Sequence, residues 1–549
     1  MAAAPSSSGS RSSMGDSSGT GGSEDLCEPE KPWRFAQWFK KMPVEDSMPD
    51  SDLLSAVEFD ATGSFLASGD RGGRVVVLRS DNSKGKIHYT FHCEFQSHEP
   101  DFDYVRSIAI EERISKIKFL PQTNDCVFML TTNDKAIKMW KLQEREVKYT
   151  TGFNTSDTKG QPRAPDRIKS LRFPQSETVE RLVTATPKRE YSPEIHKFNI
   201  HSLVPSCDGQ SFMSADNLSI NLWNLNVTDV AFQVVNLKPM DMTKLMEYIT
   251  AADLDQVNSN SFIYGTNRGL VRLCDMREKA LCDSSSLEFH DPALDAMDKQ
   301  NARMHTGAGG MPGRPFLADL LRNISDVKFA PNNLIVARDF MSLKIWDVRQ
   351  ESRPVEIIPV HDYLSPKLWD LYENEYLYES FDVSVSAQGI MTGSYNSYFH
   401  IYDLNRRTDT LIEASKAPYA TMPIIPSSGD DSSRGSRSSL RAKKRLSKPG
   451  LVSLLSRKKK KDGRSYPPSD GSSNVLGIDP DTINYEKRIT QLNWHPNGNA
   501  VAVSFIFQTS KFEEEQPYWR TNQSSRNLPA LPLLFLLMSS CLKTFLESN

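Results

Sequence analysis

The chain has 549 residues, of which 38% are hydrophobic, and a formal net charge of -3. The apolar content is below that of an average globular chain, so part of the sequence is expected to lie outside any packed core. A charge this close to balance gives no overall attraction to nucleic acid or to a membrane surface, and neither is expected as a partner. The seven cysteines are Cys27, Cys93, Cys126, Cys207, Cys274, Cys282 and Cys541. Their odd count and the absence of a C-x-x-C pair suit neither a zinc site nor a disulfide framework, so they read as free thiols in a reducing compartment. No run approaches the ~18 apolar residues of a membrane helix. No basic-then-apolar leader is present, and a soluble, cytosolic protein is expected.

Residues 1–30 are Ser, Gly and Ala followed by acidic residues, too poor in apolar groups to offset the entropy of ordering, and read as disordered. Trp33-Arg34-Phe35-Ala36-Gln37-Trp38 is the expected N-terminal partner of the final unit. Leu54 to Phe59 follows as a strand, and Gly69-Asp70-Arg71-Gly72-Gly73 then turns the chain into Val75-Val76-Val77-Leu78. Ile114-Ser115-Lys116-Ile117-Lys118-Phe119-Leu120-Pro121 opens the next unit, and Ile137-Lys138-Met139-Trp140-Lys141-Leu142 closes it. The insertion at 143–199 carries Lys148-Tyr149 and Gly152-Phe153, a polar turn and then Ile168 to Phe173, which predicts an extended hairpin.

Later segments repeat these two patterns. Ile220-Asn221-Leu222-Trp223-Asn224-Leu225, Val271 to Met276, Leu343-Lys344-Ile345-Trp346-Asp347-Val348 and Phe399-His400-Ile401-Tyr402-Asp403-Leu404 align with Ile137 to Leu142. Their first and third positions are apolar, the fourth is aromatic in four of the five, and each follows a turn signal. Alternation of this kind places apolar side chains on both faces of a strand, as in a sheet packed between two neighbours. Ile324 to Pro331 and Ile489 to Pro496 repeat the opening pattern of Ile114 to Pro121, with Ile249 to Leu254 a weaker copy. Units therefore begin near residues 54, 114, 200, 249, 324, 381 and 489. Repeats of about 40–45 residues with an aromatic–Asp closing pair, as in Trp346-Asp347 and Tyr402-Asp403, predict an all-β, seven-bladed WD-repeat β-propeller spanning 31–508.

Insertions on such a ring are where function tends to sit. Besides the 143–199 hairpin handle there are insertions at 277–323 and at 412–486, the latter rich in Ser, Lys and Pro and expected to be disordered. Within it Arg441-Ala442-Lys443-Lys444-Arg445 and Arg457-Lys458-Lys459-Lys460-Lys461 have the form of a two-part nuclear-import signal and equally of a solvated basic loop. Phosphorylation of Ser447 or Ser456 would lower their charge. After Val503-Ser504 the sequence loses the repeat, and residues 509–549 read as an atypical, unstructured tail.

No catalytic motif is present: no G-x-x-x-x-G-K-[ST], H-E-x-x-H or G-x-S-x-G. His98-Glu99-Pro100-Asp101-Phe102-Asp103 contains metal-ligating residue types, but Pro100 and Phe102 mark it as an acidic surface loop. No catalytic residue, cofactor or metal is expected, and the chain reads as a binding protein.

Several strings carry a family resemblance: Phe95-Gln96-Ser97-His98-Glu99-Pro100-Asp101-Phe102-Asp103-Tyr104, Thr131 to Lys135, Ser214-Ala215-Asp216, Arg272 to Arg277, Ile324 to Phe329, Leu371-Tyr372-Glu373-Asn374 and Met391 to Asn396. Together they resemble the B-family regulatory subunit of protein phosphatase 2A, from about residue 33 to 504. The resemblance implies a non-catalytic subunit of a heterotrimer that binds a helical-repeat scaffold (A) subunit and a catalytic (C) subunit and selects phosphoprotein substrates. It implies that the 143–199 handle, with Tyr149, Phe153, Arg163 and Arg167, grips the scaffold. It also implies that one face of the ring recruits substrate through positions matching Asp50, Arg71, Phe198, Asn217, Leu245, Tyr248, Phe316, Tyr372 and Tyr378. Three departures stand out: Asn217 where the family carries Asp, Ser380 where it carries Lys, and the foreign sequence after Ser504, for which a translated intron or alternative terminal exon is the simplest origin. The competing reading is a generic WD-repeat adaptor in a ubiquitin-ligase or chromatin complex, which would lack the handle.

Overall fold

The computed structural model describes residues 33–39, 50–81, 88–121, 126–151, 166, 168, 170, 176–282, 287–292, 314–404, 406–414, 422–424, 480–498, 500–504 and 534–538. β1 is Arg34–Phe39. The first complete sheet is β2 Leu54–Phe59, β3 Phe65–Asp70, β4 Arg74–Asp81 and β5 His88–Gln96, followed by a small hairpin, β6 Asp101–Asp103 with β7 Ile108–Ile110. The second sheet is β8 Lys116–Phe119, β9 Val127–Thr132, β10 Ile137–Thr151 and β11 Ser176–Tyr191. The third is β12 Ser202–Pro205, β13 Ser211–Ala215, β14 Ser219–Asn224 and β15 Ala231–Asn236. The fourth is β16 Ile249–Leu254, β17 Ser261–Thr266, β18 Val271–Asp275 and β19 Leu287–Phe289. A helix, α1 Arg314–Leu321, precedes the fifth sheet of β20 Asp326–Ala330, β21 Leu334–Arg338, β22 Ser342–Asp347 and β23 Glu356–Pro359. A second helix, α2 Leu368–Glu373, leads to β24 Val383–Val385, β25 Gly389–Gly393, β26 Tyr398–Asp403, β27 Thr408–Glu413 and β28 Met422–Ile424. The last sheet combines β29 Leu492–Trp494, β30 Ala500–Ser504 and β31 Leu534–Met538 with β1.

All the ladders are antiparallel, and the first strands adjoin one another in turn: β2, β8, β12, β16, β20, β24, β29 and back to β2. The sheets therefore stand around a common channel as an all-β propeller. Cores lie between successive sheets, as where Ala251, Ile263 and Phe289 of the fourth meet Ile324, Val327 and Trp346 of the fifth. The isoleucine that opens several units has a specific seat. A Cβ on Gly69 would lie 2.7 Å from Ile114, one on Gly265 2.7 Å from Ile324, and one on Gly393 2.0 Å from the Ile489 carbonyl oxygen. Each glycine ends or nearly ends the second strand of its sheet, and the next sheet's isoleucine occupies the space its missing side chain leaves.

Four expectations are corrected. The aligned Trp-bearing segments do not close their units: they are third strands, and a half-exposed fourth strand lies outside each of them, with burial too patchy to mark it in sequence. The returning strand of the handle is Ser176–Tyr191 rather than Ile168 to Phe173, because a register of Thr151↔Ser176 through Ile137↔Tyr191 pairs β10 along its whole length. The insertion expected to be disordered from 412 contributes Ile412 and Glu413 to β27 and all of β28, which adds a fifth strand by pairing Asp409↔Ile424. The stretch expected to be an unstructured tail supplies β31, which pairs with β30 on one side and β1 on the other. The outer strand β1 is also tied to the first sheet: the Gln37 side-chain amide donates to the Tyr89 carbonyl at 2.8 Å and accepts from its N–H at 2.9 Å.

Candidate protein-binding face

In each sheet the first strand runs in from one end of the channel, and the turn between the second and third strands returns to that same end. Loops from all the sheets therefore gather around one mouth. A cavity of about 1000 Å³ opens there, lined among others by Arg71, Arg113, Lys116, Asp134, His201, Asp326, Tyr378, Glu379, Asp382 and Arg488. A second cavity of about 500 Å³ lies deeper, and Lys116, Asp326 and Asp382 border both. Between them Lys116 Nζ stands 2.7 Å from Asp382 Oδ2. Around the same channel Lys118 meets Glu58 at 2.6 Å, and Lys328 meets Asp326 at 3.5 Å and Asp253 at 3.8 Å. Burial opposes the charge on Lys328, but the two aspartates outweigh it and raise its pKa, so it stays an ammonium.

The structure brings most of the expected recruitment residues to this end. Arg71 Nη1 donates to both Asp50 oxygens, at 2.9 and 3.2 Å. Tyr372, at the end of α2, and Tyr378 stand with ring centroids 6.3 Å apart, and Tyr248 lies within electrostatic reach of Tyr378. Tyr248 and Tyr378 are exposed, Tyr372 half-buried. Asn217 sits in the β13–β14 turn, and its carbonyl accepts from Ile249 N–H at 2.8 Å, tethering the fourth sheet beside Tyr248. Phe198 and Leu245 are half-buried in loops that enter the third and fourth sheets. Phe316 lies on α1, but its side chain is outside the described residues, and Ser380 Oγ reaches the Ser325 carbonyl at 3.4 Å. Of the handle residues, Tyr149 lies on β10, while Phe153, Arg163 and Arg167 fall outside the described residues. So do Lys443, Lys444, Arg445, Lys458, Lys459, Lys460 and Lys461.

Sequence reasoning missed several neighbours of this face. Trp369 packs on Tyr372 at 5.7 Å, with its indole N–H on Glu373 at 2.7 Å. Met240 is fully exposed, and Met246 is largely so. On the β6–β7 hairpin, Tyr104 is 84% exposed and Val105 95%, with Phe102 edge-on to Tyr104 at 5.1 Å. Two cues were available in the sequence: charged residues alternating with apolar ones in a first strand, as in Lys116-Ile117-Lys118-Phe119 and Asp326-Val327-Lys328-Phe329, and aromatics in a segment that fits neither repeat pattern.

One group imitates catalytic machinery. His196 Nδ1 lies 3.1 Å from Asp216, and its Nε2 lies 2.7 Å from Ser214 Oγ. With Nδ1–H donating to the carboxylate, Ser214 O–H donates to Nε2, while Ser214 Oγ accepts the Trp223 indole N–H at 2.8 Å. Burial by itself would raise the Asp216 pKa, but His196 and the N–H groups of Leu218 and Ser219 outweigh it and hold the carboxylate below its usual range. His196, Ser214 and Asp216 are each at most 1% exposed, so no substrate reaches them, and the network serves to lock the third sheet.

The arrangement combines an exposed aromatic and methionine-rich rim, a charged mouth and an apolar hairpin beside it, a composition that suits contact with another protein. No family model matches the chain. The regulatory B-type subunit of protein phosphatase PP2A from Schizosaccharomyces pombe (strain 972) is 38% identical to it over 487 residues, covering 88% of this chain and 97% of that protein.

Proposed function

Because the chain belongs to the family of PP2A regulatory B-type subunits, we propose that it is a seven-bladed WD-repeat propeller that holds the phosphatase's scaffold and catalytic subunits and presents phosphoprotein substrates to them. The chain is a regulatory subunit and not itself an enzyme. The WD reading is supported by the ring order of the first strands and by the Asp216–His196–Ser214–Trp223 network, which links a turn, a loop and two strands of one sheet.

One observation carries the scaffold assignment. Only the six pairs from Ile137↔Thr132 to Leu142↔Val127 hold β10 to β9, yet β10 and β11 stay paired out to Thr151↔Ser176. A two-stranded arm thus projects beyond its sheet, with no further strand paired to it among the described residues. We assign it, with Tyr149, Phe153, Arg163 and Arg167, to the scaffold subunit. The exposed β6–β7 tip is assigned to the catalytic subunit, and Asp50, Arg71, Asn217, Tyr248, Tyr372 and Tyr378 to substrates. Joining Arg145 to Leu182, which face each other in the ladder, removes the arm without leaving an unpaired strand. Purified scaffold subunit is expected to bind the intact chain and not the shortened one, with the ring's melting temperature unchanged. Undiminished binding by the shortened chain would place the contact on the ring.

For location we propose the cytosol, with nuclear entry through the basic clusters at 441–461. Replacing Lys458, Lys459, Lys460 and Lys461 with Ala should deplete any nuclear pool seen by fluorescence microscopy. An unchanged distribution would leave the clusters as a solvated loop.

A further inference from the structure

At the rim of the mouth the loop from Leu237 to Tyr248 carries three methionines on its surface: Met240 is fully exposed, Met246 is 70% exposed and Met242 45%. Among the described residues a cation is seated on Met246 and on neither of the others. Arg268, in the turn between β17 and β18, donates Nε–H to the Met246 carbonyl at 3.1 Å, and its Nη2 stands 3.6 Å from Met246 Sδ. One edge of the guanidinium thus faces both the main-chain oxygen and the sulfur of a single residue. The turn is tied to the same stretch a second way. Tyr248 N–H donates to Asn267 Oδ1 at 2.9 Å, and Asn267 N–H donates to the Tyr248 carbonyl at 3.2 Å. No carboxylate competes for Arg268. Glu247, between Met246 and Tyr248, is held by Arg272 at 3.1 Å, and Arg268 makes no ion pair among the described residues.

A thioether is a weak acceptor, so the contact at Sδ contributes little as it stands. An exposed methionine is also open to two-electron oxidation by hydrogen peroxide. The sulfur lone pair bonds to one peroxide oxygen and the O–O bond breaks. The other oxygen leaves as hydroxide and becomes water with the proton of the first. Sulfur is oxidised, the peroxide is reduced, and no further reactant is needed. The product is a sulfoxide, whose polar oxygen sits on the atom that Arg268 already faces. The guanidinium edge then makes two charge-assisted hydrogen bonds to oxygen in place of one. We propose that Met246 is an oxidation site whose sulfoxide is captured by Arg268, fastening the stretch from Met246 to Tyr248 to the β17–β18 turn. On the assignment of this rim to substrates, the change stiffens the recruitment face. It also replaces a soft, adaptable apolar contact beside Tyr248 with a polar one, and enzymatic reduction of the sulfoxide restores it.

The test uses the full chain, treated with hydrogen peroxide until peptide mapping by mass spectrometry shows Met240 and Met246 converted. It then reads amide hydrogen exchange in peptides spanning 244–249 and 266–270. Exchange there is expected to slow by roughly threefold to tenfold on oxidation, since an exposed charge-assisted hydrogen bond contributes at the low end for such bonds. Met246→Gln, which offers an amide oxygen in place of the sulfoxide's, is expected to be slowed without peroxide. Arg268→Ala is expected to lose the response while its Met246 is still oxidised. Both side chains are exposed, so neither change removes core packing. Unchanged exchange after oxidation of the wild-type chain, or equal slowing in Arg268→Ala, would overturn the proposal. So would a Met246 that resists peroxide while Met240 is converted. The measurement involves no phosphatase subunit, so its failure and failure of the scaffold assignment are independent results.

Discussion

Lys116 and Asp382 meet across the central channel at 2.7 Å although they lie 266 positions apart, in sheets that are not successive in the ring. Their contact is a crossbar that divides the channel into an upper and a lower cavity. The other lysine pairs of the channel join neighbouring sheets or lie within one, and so reinforce contacts the packing already makes.

Removing one partner of the crossbar leaves a charge in a partly dry channel. Lys116→Met and Asp382→Asn are each expected to lower the thermal midpoint. Both groups keep some exposure, 27% and 17%, so a double-mutant cycle by urea unfolding should give a coupling of only about 1–2 kcal/mol. Strict additivity of the two single changes would show that the crossbar contributes nothing.

Ser214 supplies a partner to two buried groups, His196 Nε2 and the Trp223 indole N–H. Ser214→Ala is expected to cost about 2–4 kcal/mol, more than loss of an average hydrogen bond, because two buried polar groups lose their partner at once. The exposed Ser365→Ala serves as control. Equal denaturation midpoints for the two variants would refute the locking role of the network.

His98 is buried, and desolvation, aided by the nearby Lys138 charge, lowers its pKa to about 3. An unfolded chain holds the same group near 6.5. The stability contributed by neutral His98 is therefore fully present above about pH 6.5 and is lost progressively as pH falls toward 3. At pH 4.5 the loss should be roughly 2–3 kcal/mol, two units' worth. His98→Gln should flatten the fall in thermal midpoint between pH 7 and 4.5. An identical pH profile for the variant would assign the acid sensitivity to other groups.

Truncation after Ser504 removes β31 and separates β1 from β30. A lower thermal midpoint and concentration-dependent association are expected, since β30 becomes an open edge of five buried residues. Unchanged melting and a monomeric profile in light scattering would show that the final sheet does not need the third strand.

Much of this was legible in the sequence, for reasons that are themselves physical. The third strands announce themselves because both their faces are buried, as in the run from Ser342 to Asp347 with Trp346 at 1% exposure. The fourth strands do not, because half of each faces solvent and composition there is loosely constrained. The opening isoleucines could be seen as a repeat, but their seats on Gly69, Gly265 and Gly393 could not, since those glycines lie in the preceding sheet. Of the recruitment face, the tyrosines of 372–378 were accessible to reasoning. The crossbar was not: nothing local to Lys116 or Asp382 points to the other, and only closure of the ring brings them together.

The pairing of Arg34 with Met538 has a consequence for biogenesis. A ribosome makes β1 long before β31, so the final sheet cannot assemble until β31 has emerged. Throughout that interval β1 lacks the strand it pairs with, and the first sheet faces solvent where β29 and β30 will pack. Closing a loop of this length costs little more entropy than closing a moderate one, because the penalty grows only with the logarithm of length. The burden is one of time: a nascent propeller exposes sticky edges for as long as synthesis takes, and folding yield should depend on chaperone supply and elongation rate.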